Sequence, residues 1–223
     1  MFKLIFIILV IPFVLSANND LLNNIGVKAG FNLSSISTDK GNLGKDFNFN
    51  DHVGYKNGFN IGFVKTIKLN SNWELQAEIL YTSKGYSFYY ETKFYDTPYE
   101  VIHNMTISYF ELPVIFCYNI NMLKGLSFYA GGYFSLLIDS YLDIEHSATS
   151  TNDDKLNEIS KNGLSGFDSG LIIGGKFKIS SLFFDFRFSR GLVDINLQGT
   201  LSKSHKQNDT KNKQFSFSIG YFF

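Results

Sequence analysis

Residues 73–81 read Trp73-Glu74-Leu75-Gln76-Ala77-Glu78-Ile79-Leu80-Tyr81. Trp73, Leu75, Ala77, Ile79 and Tyr81 share one parity, while Glu74, Gln76 and Glu78 share the other. Successive side chains of a strand point to opposite faces, so this order builds one apolar face and one polar face. A helix would scatter both sets around its circumference. The same alternation recurs outward in both directions. Upstream, Ile25, Val27, Ala29, Phe31 and Leu33 oppose Gly26, Lys28, Gly30 and Asn32, and within 55–65 Phe59, Ile61 and Phe63 oppose Gly58, Asn60 and Gly62. Downstream, Phe110, Leu112, Val114 and Phe116 within 106–118 oppose Tyr109, Glu111 and Pro113. Proline lacks the ladder donor, so a bulge or local break is expected at Pro113. Further runs cover 126–136, with Leu126, Phe128, Ala130, Gly132 and Phe134 on one face, and 167–177, where Phe167, Leu171, Ile173 and Phe177 face away from Asp168, Gly170, Gly174 and Lys176. Phe184, Phe186 and Phe188 then alternate with Asp185, Arg187 and Ser189, and Phe215, Phe217, Ile219, Tyr221 and Phe223 with Gln214, Ser216, Ser218 and Gly220.

The gaps carry the topology. Residues 35–54, 82–105, 137–166 and 190–212 are long polar connectors, whereas 66–72, 119–125 and 178–180 are short. Strict alternation of long and short suits consecutive antiparallel strands whose long loops all leave from one end. Strands of about 9 to 12 residues cross the apolar band of an outer membrane when tilted. With Phe, Leu, Ile and Val outside and Glu, Lys, Arg and Asn inside, the pattern is inverted relative to a soluble barrel. Closure pairs every strand edge, as hydrocarbon demands. The sequence therefore predicts an all-β fold, one eight-stranded antiparallel transmembrane β-barrel with short periplasmic turns and four long outer loops. Tyr86, Phe88, Tyr89, Tyr90, Phe94 and Tyr95 suit an extension of the third and fourth strands above the membrane.

The chain opens with MFKLIFIILVIPFVLS, in which Lys3 precedes a 12-residue apolar run from Leu4 to Leu15 and then the small Ser16 and Ala17. That order is a secretory signal, too short to span a bilayer. Residues 1–17 are expected to be removed, by cleavage after 16 or 17, leaving 18–223 as the barrel domain. Twenty Lys and Arg against 20 Asp and Glu leave no basic excess for a polyphosphate, so nucleic acid is not an expected partner. The single Cys117 excludes an intramolecular disulfide.

The run GVKAGFNLS at 26–34, LQAEILYTSKG at 75–85, YFELPVIFCY at 109–118, FYAGGYFSLL at 128–137, Phe-Asp-x-Gly at 167–170 and FDFRFSRGLVDI at 184–195 resemble the small outer-membrane barrels of Bacteroidota-type bacteria. These are the porin-family or PorT-like outer membrane β-barrel domains, similar in plan to OmpX- and OmpA-type barrels. Tyr133 stands after Gly132 where that family often has proline. The resemblance implies barrel architecture, and some members are linked to secretion. The final Ile219, Tyr221 and Phe223 resemble the end signature read by the barrel assembly machinery, and they also fit a lipid-facing last strand.

The polar faces place Lys28, Glu74, Gln76, Glu78, Glu111, Asp168, Lys176, Asp185 and Arg187 inside. Buried charges demand partners, so an interior salt-bridge network is expected, including one of Glu78, Glu111 and Arg187. Phe110, Ile173, Phe186 and Phe217 are the expected lipid-facing residues. Eight strands enclose about enough room for their own side chains, which argues against a general diffusion pore. Glu74 and Glu78 lie roughly 13 Å apart along a strand, too far for a glycosidase pair, and no enzyme is expected. His52, His103, His146 and His205 fall one to a long loop without metal-ligand spacing, and Ser202, Ser204 and His205 form no nucleophilic triad. No metal or cofactor is expected. Asp139, Asp143, Glu145, Asp153, Asp154 and Glu158 make 137–166 acidic, and Lys203, Lys206, Lys211 and Lys213 make 190–212 basic. The expected role is structural or an envelope interaction, with outer-membrane lipid, the assembly machinery and an envelope or secretion protein as partners. A secretion-associated component and a narrow transport or ligand-binding barrel are the alternatives.

Overall fold

The computed structural model describes residues 24–38, 52–94, 97–120, 122–147, 164–195 and 209–223, with the backbone alone at 90–94, 97–101 and 144–147. Eight strands, β1 (Ile25–Thr38), β2 (Val53–Lys68), β3 (Trp73–Phe94), β4 (Thr97–Asn119), β5 (Leu126–Ser147), β6 (Phe167–Ile179), β7 (Leu182–Gly191) and β8 (Thr210–Phe222), follow one another around a closed barrel. Every neighbouring pair is antiparallel, and β1 closes on β8 from Gly26↔Phe222 to Thr38↔Thr210. The signal segment, His205 and the acidic residues Asp153, Asp154 and Glu158 lie outside the described residues.

At one end the connections are tight. Asn70 Oδ1 accepts hydrogen bonds from the backbone N–H of Asn72 and Trp73, each at 3.0 Å, in the turn between β2 and β3. Such an Asx-type bond lets a short polar side chain satisfy a turn's backbone. Gly125, between β4 and β5, has φ +91°, and a Cβ there would meet Lys178 O at 2.2 Å. Only glycine fits that conformation and that approach. Ser180, at φ 55°, begins the two-residue connection between β6 and β7.

The connector 82–105 is strand along almost its whole length. β3 and β4 keep one register from Trp73↔Tyr118 to Phe94↔Thr97, and β5 accompanies β4 up to Glu100↔Ser147. Residues 137–147, also expected in a connector, are therefore strand. The three longest strands form a wall that rises past β6, whose pairing with β5 ends at Leu136↔Phe167. Pro113 makes no bulge: the β3–β4 ladder is interrupted at Glu78 and Ile79, opposite Leu112 and Pro113, and resumes in the same register. The β4–β5 register shifts instead between Ser108 and Tyr109, opposite Asp139 and Leu137.

The reason the upper strands escaped the pattern is an exchange of faces. Below that level the outer face is apolar, with Phe186 59%, Ile173 58% and Phe217 37% exposed. Phe186–Phe217 and Phe188–Phe215 pair across β7 and β8 at 4.8 Å between ring centroids, the cross-strand packing that stabilises a sheet. Phe110 lies half-buried in the same outer row, opposite Tyr81 and Leu136. Above it the apolar side chains turn inward: Ile36, Tyr86, Met105, Ile107, Tyr109 and Ile195 form a buried cluster against Val53, Phe88, Leu137, Leu142 and Leu164. Ser87, Asn104 and Ser108 point the other way, Ser87 Oγ donating to Asn104 Oδ1 at 2.6 Å and Tyr81 Oη to Ser108 Oγ at 3.0 Å. Burial of apolar area drives folding wherever water is the surrounding solvent, so polar-out, apolar-in is the expected order outside hydrocarbon.

Candidate functional site: the ion-paired lumen

Inward positions of β1, β3 and β7 bring Lys28, Glu78, Asp185 and Arg187 together near the barrel axis, each less than a tenth exposed. Arg187 grips Glu78 with both terminal nitrogens, Nη1 donating to Oε2 at 3.0 Å and Nη2 to Oε1 at 2.6 Å. This fork geometry is the strong form of a charge-assisted bond. Nη2 also donates to Asp185 Oδ2 at 3.1 Å, and Lys28 Nζ lies 2.7 Å from Asp185 Oδ2 and 3.0 Å from Glu78 Oε2. Two cations thus face two carboxylates, and formal charge cancels. Tyr129 of β5 completes the group, donating to Asp185 and accepting from Arg187 Nε at 3.3 Å. Gln76 Nε2 donates to Glu78 Oε1 at 2.5 Å, and Gln76 Oε1 accepts from Lys176 Nζ at 2.8 Å. Glu74 reaches Lys176 only at 4.0 Å.

A second layer lies nearer the outer end. Lys84 Nζ is 2.6 Å from Glu111 Oε2 and 3.8 Å from Asp168 Oδ2. It also sits 4.2 Å from the centroid of the Tyr133 ring, a cation–π distance. Tyr133 Oη and Asn212 Nδ2 each donate to Asp168 Oδ2 at 2.9 Å, and Ser135 Oγ donates to Glu111 Oε2 at 2.9 Å. Glu111 therefore belongs with Lys84 and Asp168, apart from the Glu78–Arg187 pair with which the sequence reading grouped it. Asn32 and Asn60 add a neutral bridge, Asn60 Nδ2 donating to Asn32 Oδ1 at 2.7 Å and Ser218 Oγ to Asn60 Oδ1 at 3.0 Å.

Lys84, Tyr129, Tyr133 and Asn212 carry much of this geometry and were missed in the sequence. Lys84 sits within 82–105, yet its even parity continues that of Gln76 and Glu78. Tyr129 and Tyr133 have an amphipathic ring whose hydroxyl, not its apolar body, decides the face. The outer-face residues Ile219 and Tyr221 are 45% and 49% exposed, and Phe223 follows β8 at 71%. His52 and His103 flank Phe88, with ring centroids at 6.2 and 6.5 Å. Among the described residues, no group of three or more His, Cys, Asp or Glu is placed to hold a metal ion. Lys211 pairs with Asp209 at 2.6 Å, and Lys213 lies 5.4 Å from the Tyr55 ring.

The family of outer membrane protein β-barrel domains matches residues 17–197. No curated protein matches the chain. Among solved structures, the attachment invasion locus protein Ail of Yersinia pestis, in complex with the heparin analogue sucrose octasulfate, is 15% identical, with 90% of this chain and 99% of that chain covered and a TM-score of 0.43. Neisserial surface protein A is 12% identical, with 89% and 97% covered and a TM-score of 0.43. OprG from Pseudomonas aeruginosa is 13% identical, with 90% and 96% covered and a TM-score of 0.37. With most of its length inside one family match and its strands closed around a charged lumen, the chain belongs to the outer membrane protein β-barrel domain family and resides in the cell outer membrane.

Proposed function

We propose that the protein is a sealed outer-membrane barrel with a structural or envelope-interaction role, neither an enzyme nor a general diffusion pore. The observation that carries this reading is the filling of the lumen. Arg187 and Glu78 join β7 to β3 across it, Lys28 ties β1 to both, and the cluster of Ile36, Tyr86, Met105, Ile107, Tyr109 and Ile195 closes the space above. A buried ion pair is costly to break once its partners are desolvated, so the filling is not a movable gate of loose side chains. The wall of β3, β4 and β5 supports the interaction role, because it holds Tyr89, Ile138 and Tyr141 about two-fifths exposed beyond the last β6 pairing.

Planar-bilayer recording on the chain lacking residues 1–17 tests the sealed state. Brief, small events or none are expected; stable high-conductance channels that pass sugar-sized solutes would overturn it. Crosslinking in intact cells followed by mass spectrometry tests for an envelope or secretion partner.

The narrower kinship with PorT-like barrels, removal of the signal after 16 or 17, and recognition of Ile219, Tyr221 and Phe223 by the assembly machinery belong to the same proposal. Phe110, Ile173, Phe186 and Phe217 face lipid in it, and Lys28, Glu74, Gln76, Glu78, Glu111, Asp168, Lys176, Asp185 and Arg187 form its interior network.

A further inference from the structure

We propose that the periplasmic mouth of the barrel is a binding site for a phosphate-class oxyanion. The end of the barrel that carries the short turns holds a cavity of about 210 Å³, lined by inward residues of β2, β3, β6 and β8 and by the connection from β4 to β5. Among the described residues, Lys68, Lys176 and Lys178 line it, and Glu74 is the single acidic side chain in the lining. Lys176 is engaged with Gln76 at 2.8 Å and only distantly with Glu74 at 4.0 Å. Lys178 Nζ rests 4.7 Å from the centroid of the Phe222 ring, and Lys176 Nζ 5.8 Å from the same ring. Among the described residues, three ammonium groups against one carboxylate leave two positive charges facing a confined polar space.

Thr66, 6% exposed, lines the cavity beside these ammonium groups. Asn119, also in the lining, accepts from Ser127 Oγ at 2.6 Å through its Oδ1, which turns its amide N–H groups to donate elsewhere. Ammonium and amide donors around a space of roughly seven water volumes suit a tetrahedral oxyanion with several acceptor oxygens. The cavity is blind, because Lys176, Gln76 and Glu78 link its roof to the central ion pairs. The site thus holds an anion from the periplasmic side and does not pass it through.

Inorganic phosphate, titrated onto the purified full barrel in a phosphate-free detergent and followed by phosphorus NMR and calorimetry, provides the test. Saturable binding is expected, weakened about tenfold by Lys68→Gln or Lys178→Gln, with Lys124→Gln unchanged as a control on the same end but outside the lining. Lys68 and Lys178 are exposed, so folding should survive, and the shift of gel mobility on heating checks it. Loss of phosphate binding in nanodiscs containing phosphatidylglycerol identifies a lipid headgroup as the source, and its persistence there identifies a soluble phosphate; both support the site. Absence of saturable binding, binding indifferent to the Lys68→Gln/Lys178→Gln double variant, or tighter binding of acetate than of phosphate overturns it.

Discussion

The lower barrel and the wall above it use the same strands with opposite filling. At the level of Glu78 and Arg187 the inside is ionic and the outside aromatic; at the level of Tyr86 and Ile107 the inside is apolar and Ser87 and Asn104 point out. One continuous β3 and one continuous β4 pass through both levels without changing which parity faces inward. What changes is the solvent outside. In the proposed placement hydrocarbon accepts Phe186 and excludes charge, which leaves the polar residues to satisfy one another within; water reverses both preferences.

The largest expected effect breaks the lower filling. Arg187→Met leaves Glu78 and Asp185 facing each other with Lys28 alone, and should lower stability by about 3–5 kcal/mol, measured by urea unfolding in lipid vesicles. A loss near zero would show that the central pairs do not hold the lumen. Somewhat smaller is the effect of emptying the upper core: Ile107→Ala, at a fully buried position, should cost about 2–5 kcal/mol in the same assay. If it unfolds the wall alone, protease cleavage within 82–105 will rise while the heat-modifiable gel shift persists. The outer faces supply the sharpest contrast. Phe186→Lys should cost roughly 2–4 kcal/mol, since it places an ammonium against lipid. Thr106→Lys, outward on the wall, should stay within about 0.5 kcal/mol. Equal costs at these two positions would remove the exchange of solvent on which the comparison rests.

The residues themselves show why one region was legible and the other was not. Along 73–81 a single alternation runs unbroken because one face meets hydrocarbon and the other the lumen. Beyond Tyr81 the inward row continues as Thr82, Lys84, Tyr86 and Phe88, mixing polar and apolar as the surroundings change, so the period of two no longer announces itself in hydropathy. Lys84 was lost in that transition. Pro113 was legible as an interruption, but its form was not: the neighbouring pairs hold the register on both sides of the gap, and the bulge falls instead opposite Asp139.

The sequence by itself determined the eight lower strands, their inward and outward faces, the short turns of one end and the lumen charges of the lower barrel, Lys84 excepted, because each follows from local alternation and turn chemistry. Only the tertiary structure decided which charges meet. Glu78 joins Arg187 across 109 residues of chain, and Lys28 joins Asp185 across 157. Partner choice in a closed barrel depends on strand stagger and on the reach of side chains across the axis, and neither quantity is written in the order of residues along any one strand.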